Sequence, residues 1–419
     1  MKKAVAMILA GGNGQRMDIL CRERPKPFLP FAGSLRIIDF SLSNCIHSGI
    51  GNIAVLVDYQ RHCLSHYLNG CSHWAPISPR SLSILEPHDG HYNGTADAVY
   101  QNLEYIRRNR ADLVLVLAAD HVYKMDYRKM LAFHERSGAE VTVGVVSVPI
   151  ERASRFGVAS VNTEGRMVDF IEKPSIPKSN LASMGIYVFS AQLLAELLLE
   201  DAAQASSPHD FGYSIVPQML RHNRAFAYRF NSYWRDIGTV EAYHEANMEL
   251  CRESPSLSLN GSWPIFTKGS DLAPAKVSAQ GVVSHSIIGP GCVIRGKVMN
   301  SILSSGVLVE EQAIVRDSII MADATIGTHS LVGRCILDEE VNIGKFCYIG
   351  FGSSLRPGTP DVTVMGRGAT VPSHTAIGHS SKVLPDVGPL DFAAKAIPAG
   401  AVVAHGQYLR LSKANLALK

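Results

Sequence analysis

Ala4-Val5-Ala6-Met7-Ile8-Leu9-Ala10-Gly11-Gly12-Asn13-Gly14-Gln15-Arg16 decides how the first half of this chain folds. An unbroken apolar run ending in a glycine turn is what a strand covered on both faces needs, because neither face meets water. Glycines let the backbone approach a phosphate closely, and a basic side chain just beyond can neutralise it. Pro25-Lys26-Pro27 offers a second cation nearby. The stretch is not a dinucleotide fingerprint, since Met17 occupies the third glycine's place, and it lacks the Gly-Lys-Ser/Thr of a P-loop. Lys2-Lys3 ahead of it imitates a secretory signal, yet the apolar run enters Gly11-Gly12 without a cleavage pattern. The expectation is a first buried strand.

Similar runs recur at Ile53 to Val57, Leu113 to Ala118, Val141 to Val148 and Ile186 to Phe189, separated by longer mixed segments. Helices are predicted over Asp97 to Arg108, with Val99, Leu103 and Ile106 on one face, and over Ala191 to Leu199. This alternation predicts an α/β domain over residues 1–250 with a Rossmann-like, mostly parallel sheet. Residues 251–275 turn to Ser, Pro, Gly and Asn, which reads as a linker that packs through Trp263 and Phe266. Over 276–419 a branched aliphatic precedes glycine again and again, as at Ile288, Ile326, Val332, Ile343, Ile349 and Ile377. Many of these positions are six residues apart, as Ile320, Ile326 and Val332 are. A triangular parallel β-helix requires that period, because each side of a coil points one aliphatic inward and then turns. A β-sandwich of short strands is the alternative.

The chain has 419 residues, 46% hydrophobic and 18% charged, enough apolar material for two cores. A formal charge of +3 without a Lys/Arg block argues against nucleic acid and for small acidic ligands. No segment reaches the roughly 18 apolar residues of a membrane helix. Eight cysteines, Cys71 among them, are scattered without a C-x-x-C pair, which suits free thiols in a reducing cytoplasm.

Leu113-Val-Leu-Val-Leu-Ala-Ala-Asp120-His121 carries a carboxylate to the end of a buried strand, where sheets of this class bind ligands. A helix-capping Asp is the alternative there. A second acid stands in Tyr233-Trp-Arg-Asp236, and two hard carboxylates meeting at phosphate oxygens would suit Mg²⁺. Asp210-Phe211-Gly212 imitates a kinase motif, but no His-Arg-Asp loop accompanies it. In the repeat region His285, His329, His374 and His379 leave acyl transfer as a rival activity.

Arg36-Ile-Ile-Asp-Phe-Ser-Leu-Ser-Asn-Cys45, Asn93-Gly-Thr-Ala-Asp-Ala98, Asp120-His-Val-Tyr-Lys-Met-Asp-Tyr127, Phe170-Ile-Glu-Lys-Pro174, Ser183-Met-Gly-Ile-Tyr-Val-Phe189, His209-Asp-Phe-Gly212 and Tyr233-Trp-Arg-Asp-Ile-Gly-Thr239 accompany the opening glycine stretch. In order and spacing this series resembles bacterial ADP-glucose pyrophosphorylases (glucose-1-phosphate adenylyltransferases), closely over residues 4–250 and more loosely beyond. The resemblance implies adenylyl transfer from ATP to glucose 1-phosphate, a left-handed β-helix, a homotetramer and small-molecule allosteric effectors. It implies that Gly11, Gly12, Arg16 and Lys26 hold the triphosphate and that Asp120 and Asp236 hold Mg²⁺. Tyr92, Gly157, Glu172, Lys173 and Ser183 would form the sugar-phosphate pocket, with Lys173 on the phosphate. The alternatives are uridylyl or thymidylyl transfer to the same sugar, or a non-catalytic regulatory subunit.

Three positions depart from the family pattern. Leu85-Glu86-Pro87-His88 stands where many members carry Ala-Gln-Gln for the adenine, and Tyr213-Ser214 replaces the usual Lys-Asp after His-Asp-Phe-Gly. Glu23 occupies the place of a lysine linked to activator binding.

Overall fold

The computed structural model describes residues 2–12, 14–69, 82–88, 90–222, 224–259, 261–352 and 361–410. Asn13 and Cys71 lie outside them. Among the described residues nine strands form one mixed sheet. From one edge inward, Leu82–Leu85, Ile53–Leu56, Ala4–Leu9 and Leu113–Ala118 run parallel, in that order. Leu181–Ser190 then pairs antiparallel with Leu113–Ala118 and links Val141–Ser147 and Gly157–Val161 to the sheet. Successive side chains of the first strand enter opposite cores: Val5 and Met7 face one, Ala6 and Ile8 the other, and all four are fully buried. That two-sided burial explains why the run is apolar throughout.

The helix expected over Asp97 to Arg108 is broken into Thr95–Tyr100 and Leu103–Arg108. Asn102 causes the break. Its side chain donates to Ala98 O at 2.9 Å and its backbone N–H to Val99 O at 3.1 Å, a local alternative to continued helix. Ala191–Ala202 forms one helix.

Among the described residues three sheets of six, seven and eight strands follow as a left-handed β-helix, parallel throughout except that the last strand of the third, Gln407–Arg410, pairs antiparallel with Ala401–Ala404. Each side contributes one inward column. Ile294, Val309, Ile326, Ile343 and Val371 stack in one, while Val298, Val315, Val332, Ile349 and Ile377 stack in another. All are buried, and each such side chain contributes about 1.5–3 kcal/mol of hydrophobic stabilisation. At one corner His329, Phe346 and His374 stack with ring centroids 4.9 and 5.1 Å apart.

The third side also buries an outward column. Ile302, Ile319, Ile336 and Val364 pack against Met17, Leu20, Leu29, Phe31 and Tyr243 of the first unit. Buried ion pairs cross the same boundary. Arg24 pairs with Asp338 and, at 3.1 Å, with Glu339, which Arg36 also meets at 3.3 Å. Burial works against ionising Glu339, but Arg24, Arg36 and Arg367 outweigh it and hold its carboxyl below the ordinary range. Lys382 reaches Asp18 across the boundary as well. Trp263 and Phe266 dock on the helix Ile37–His47, where Trp263 Nε1 donates to Asn44 Oδ1 at 2.9 Å and both rings pack on His47. No helix among the described residues is long and apolar enough to cross a membrane.

Removing Arg24 leaves Asp338 buried without its cation. Arg24→Ala is therefore expected to lower unfolding free energy by about 3–5 kcal/mol, read from urea denaturation followed by circular dichroism.

Candidate active site

The strand Leu113–Ala118 delivers Asp120 to its carboxyl end, on the rim of a cleft of about 670 Å³. Asp236 comes from far along the chain by a short antiparallel ribbon. Trp234–Asp236 pairs with His121–Tyr123 in a register that sets Asp236 opposite His121. The two carboxylates are thereby brought together, Asp120 on the cleft lining and Asp236 on that of a second depression with Arg152 and Trp234, and Lys26 stands between them. Its Nζ lies 2.8 Å from Asp120 Oδ2 and 3.6 Å from Asp236 Oδ1. His121 Nε2 completes the group at 3.5 and 3.8 Å from the same two residues. Burial alone would raise the Asp120 carboxyl, but Lys26 and His121 overcome it and hold the group well below the ordinary carboxylate range.

Ligand atoms of Asp120, His121 and Asp236 lie within 4.8 Å of one another, a spacing at which three residues can hold a metal ion. Two carboxylate oxygens are hard donors that suit a divalent cation binding phosphate. Among the described residues three buried side-chain polar atoms have no hydrogen-bond partner, Ser304 Oγ in the β-helix and, at this site, His121 Nδ1 and Trp234 Nε1. His121 was not among the residues expected from the sequence. Its signal was adjacency, since it directly follows the strand-end acid.

Gly11, Gly12, Arg16, Lys26 and Tyr92 line the cleft together with Asp120. Gly14 adopts the left-handed conformation (φ 62°) that starts the turn Gln15–Cys21, and a Cβ there would sit 3.2 Å from Lys26 Cβ. Arg16 approaches the acids too: a Cβ on Gly238 would meet both Asp236 Oδ2, at 2.8 Å, and Arg16 Nη2, at 3.4 Å. Tyr92 is fixed by three bonds. Its N–H donates to Asp58 Oδ2 at 3.3 Å, its hydroxyl donates to Leu85 O at 3.3 Å, and Asn102 donates to that hydroxyl at 3.1 Å. Burial pushes the Tyr92 hydroxyl up to about 12. Asp58, at the carboxyl end of the strand Ile53–Leu56, is a further lining acid that the strand-end rule could have singled out.

Gly157, Glu172, Lys173 and Ser183 are not part of this cleft's lining. The hairpin of Gly157–Val161 and Met167–Glu172 sets Glu172 opposite Gly157. Burial raises the Glu172 carboxyl, against the pull of Lys173, whose Nζ is 3.3 Å from Glu172 Oε1. Ser183 accepts from Gly185 N–H at 3.2 Å and donates to the Tyr187 hydroxyl at 3.5 Å. Asp210 joins the two regions: it lines the cleft, accepts the Thr95 hydroxyl at 2.8 Å and bears electrostatically on Glu172. The sequence had shown Asp210 only as part of a motif, with no role attached.

The "Nucleotidyl transferase" family profile matches residues 5–253, and "GlmU-like, C-terminal hexapeptide" matches residues 271–358. The glucose-1-phosphate adenylyltransferase of Thermomicrobium roseum is 44% identical, over 96% of this chain and 98% of its own length. Those of Acetivibrio thermocellus, 40% identical over 92% of this chain and 93% of its own length, and Thermotoga neapolitana, 41% identical over 96% and 98%, are similarly related.

Gly94 lies where no side chain fits. A Cβ there would be 2.3 Å from His209 O and 2.6 Å from Pro208 O, and His209 O already accepts the Ala96 N–H at 2.8 Å. Gly94→Ala is expected to cost about 1–3 kcal/mol of stability and to weaken nucleotide binding, as thermal unfolding with and without ATP will show.

Proposed function

This chain belongs to the glucose-1-phosphate adenylyltransferases of the nucleotidyl transferase family, and on that premise we propose how its cleft residues divide the work. The reaction moves an adenylyl group from ATP to glucose 1-phosphate, giving ADP-glucose, a donor for glycogen-type glucan synthesis, and pyrophosphate. The sugar phosphate already carries an oxyanion, so no protein nucleophile or strong base is needed. Positioning and charge remain, and both can be supplied by fixed groups.

Gly11 and Gly12 present backbone N–H groups to the triphosphate at the end of the first strand. Arg16 and Lys26 stabilise charge on the α-phosphate and on the departing pyrophosphate. Asp120 and Asp236 hold Mg²⁺, which when bound draws charge from the phosphate oxygens. Tyr92, Gly157, Glu172, Lys173 and Ser183 bind glucose 1-phosphate, Lys173 through its phosphate. The observation that carries this reading is the approach of Lys26 to both acids, at 2.8 and 3.6 Å, beside the glycine turn. A cation already satisfies the paired carboxylates there, and a triphosphate–metal complex would draw Lys26 onto phosphate.

The division into a catalytic domain (1–250), a linker (251–275) and a β-helix domain (276–419) belongs to the same proposal, as do a homotetramer and small-molecule effectors. The seven described cysteines are all free, which supports a reducing, cytoplasmic setting.

Asp120→Asn and Asp236→Asn are each expected to cut kcat/KM about 10²- to 10³-fold, with the circular dichroism spectrum preserved. Near-normal pyrophosphate release by either folded variant would remove the assignment. In the same assay, ATP is expected to outperform UTP, dTTP and GTP with the wild-type protein, and a preference for UTP or dTTP would give the reaction a different nucleotide.

A further inference from the structure

One aromatic side chain at the sugar-phosphate end has no part in the roles assigned above. Tyr213 lies on the single π-helical turn Phe211–Ile215 and is 54% exposed, yet its ring centroid is only 5.8 Å from Lys173 Nζ. We propose that Tyr213 is a positioning residue for glucose 1-phosphate, its ring face holding the Lys173 ammonium at the mouth of the sugar-phosphate pocket. The inference rests on the assignment of Lys173 to that phosphate.

The Lys173 backbone fixes where its side chain starts. It is left-handed (φ 45°), a conformation costly for a residue with a Cβ, and its N–H is tied to Phe156 O at 3.0 Å. From that origin the ammonium has two neighbours of opposite kind. Glu172 Oε1 is 3.3 Å away, and left alone a lysine beside a carboxylate folds down upon it. The Glu172 side chain, however, is wedged: a Cβ on Gly212 would lie 2.4 Å from its Oε2, and one on Gly157 would lie 2.6 Å from the same atom. The Tyr213 ring on the other side offers the negative face of its π-system to the ammonium.

The ring stands on a rigid base. Asp210 Oδ1 accepts the N–H groups of Gly212 at 2.8 Å and Tyr213 at 3.1 Å, and its Oδ2 accepts the Thr95 hydroxyl at 2.8 Å. Lys173 is 51% exposed along its side chain, so without the ring its long stem would sample many rotamers. Tyr213 narrows that range before the sugar phosphate arrives, which lowers the ordering cost of binding. The effect should fall on glucose 1-phosphate and leave ATP untouched, because Lys26, Arg16 and Gly11 line the cleft whereas neither Lys173 nor Tyr213 does.

Steady-state kinetics of the full chain test this with Tyr213→Ala, Tyr213→Phe, Lys173→Ala and the Tyr213→Ala/Lys173→Ala double variant. Tyr213→Ala is expected to raise KM for glucose 1-phosphate about three- to five-fold, with kcat and KM for ATP within about two-fold. Tyr213→Phe, which keeps the ring, should stay near wild type. In the Lys173→Ala background, Tyr213→Ala should add nothing, because the two side chains act as one unit. An unchanged KM in Tyr213→Ala, an equal loss in Tyr213→Phe, or full additivity in the double variant would each overturn the role of Tyr213. An unchanged KM for glucose 1-phosphate in Lys173→Ala would instead overturn the sugar-pocket assignment beneath it.

Discussion

One ammonium held between two carboxylates sets the geometry on which the rest of this molecule depends. Asp120 and Asp236 repel each other, and their convergence is tolerable because Lys26 lies within 4 Å of both. The backbone enforces the meeting. Pairing of Trp234–Asp236 with His121–Tyr123 leaves neither acid free to retreat. Like charges confined in this way attract cations strongly.

The segment that carries Lys26 is also the segment that the β-helix grips. Arg24, two residues earlier, is buried against Asp338 and Glu339, while Met17, Leu20 and Leu29 rest on the outward column of Ile302, Ile319 and Ile336. The position of Lys26 is thus set partly by a unit none of whose described residues lines the cleft. Any movement of the β-helix relative to the first unit would be felt first along Arg24-Pro25-Lys26.

The two regions differ in how charge is arranged. Beside the glycine turn, Arg16 and Lys26 approach acids whose spacing could hold a metal ion. Opposite Gly157 a single lysine stands between a wedged glutamate and an aromatic ring, with Asp210 bracing the turn behind. A triphosphate needs concentrated positive charge, whereas a sugar monophosphate needs one well-aimed cation and a shaped wall.

Strand runs, the glycine turn and the six-residue aliphatic period were legible in the sequence because each reflects a local rule: two-sided burial, backbone freedom and one inward side chain per β-helix face. Asp120 was legible for the same reason, as an acid at a strand end. Local patterns could not show that Asn102 breaks its helix, since that depends on side-chain bonds chosen in the folded state. They gave for His121 only its place beside the strand-end acid, and were silent on Asp210 linking the cleft to Glu172 and on Ile302, Ile319 and Ile336 facing outward into a second core. The sequence by itself determined which segments become strands and coils and which residue types reach their ends. Tertiary structure alone decided which distant ends meet, because ion pairing and burial between segments hundreds of residues apart depend on three-dimensional distance, which no local period encodes.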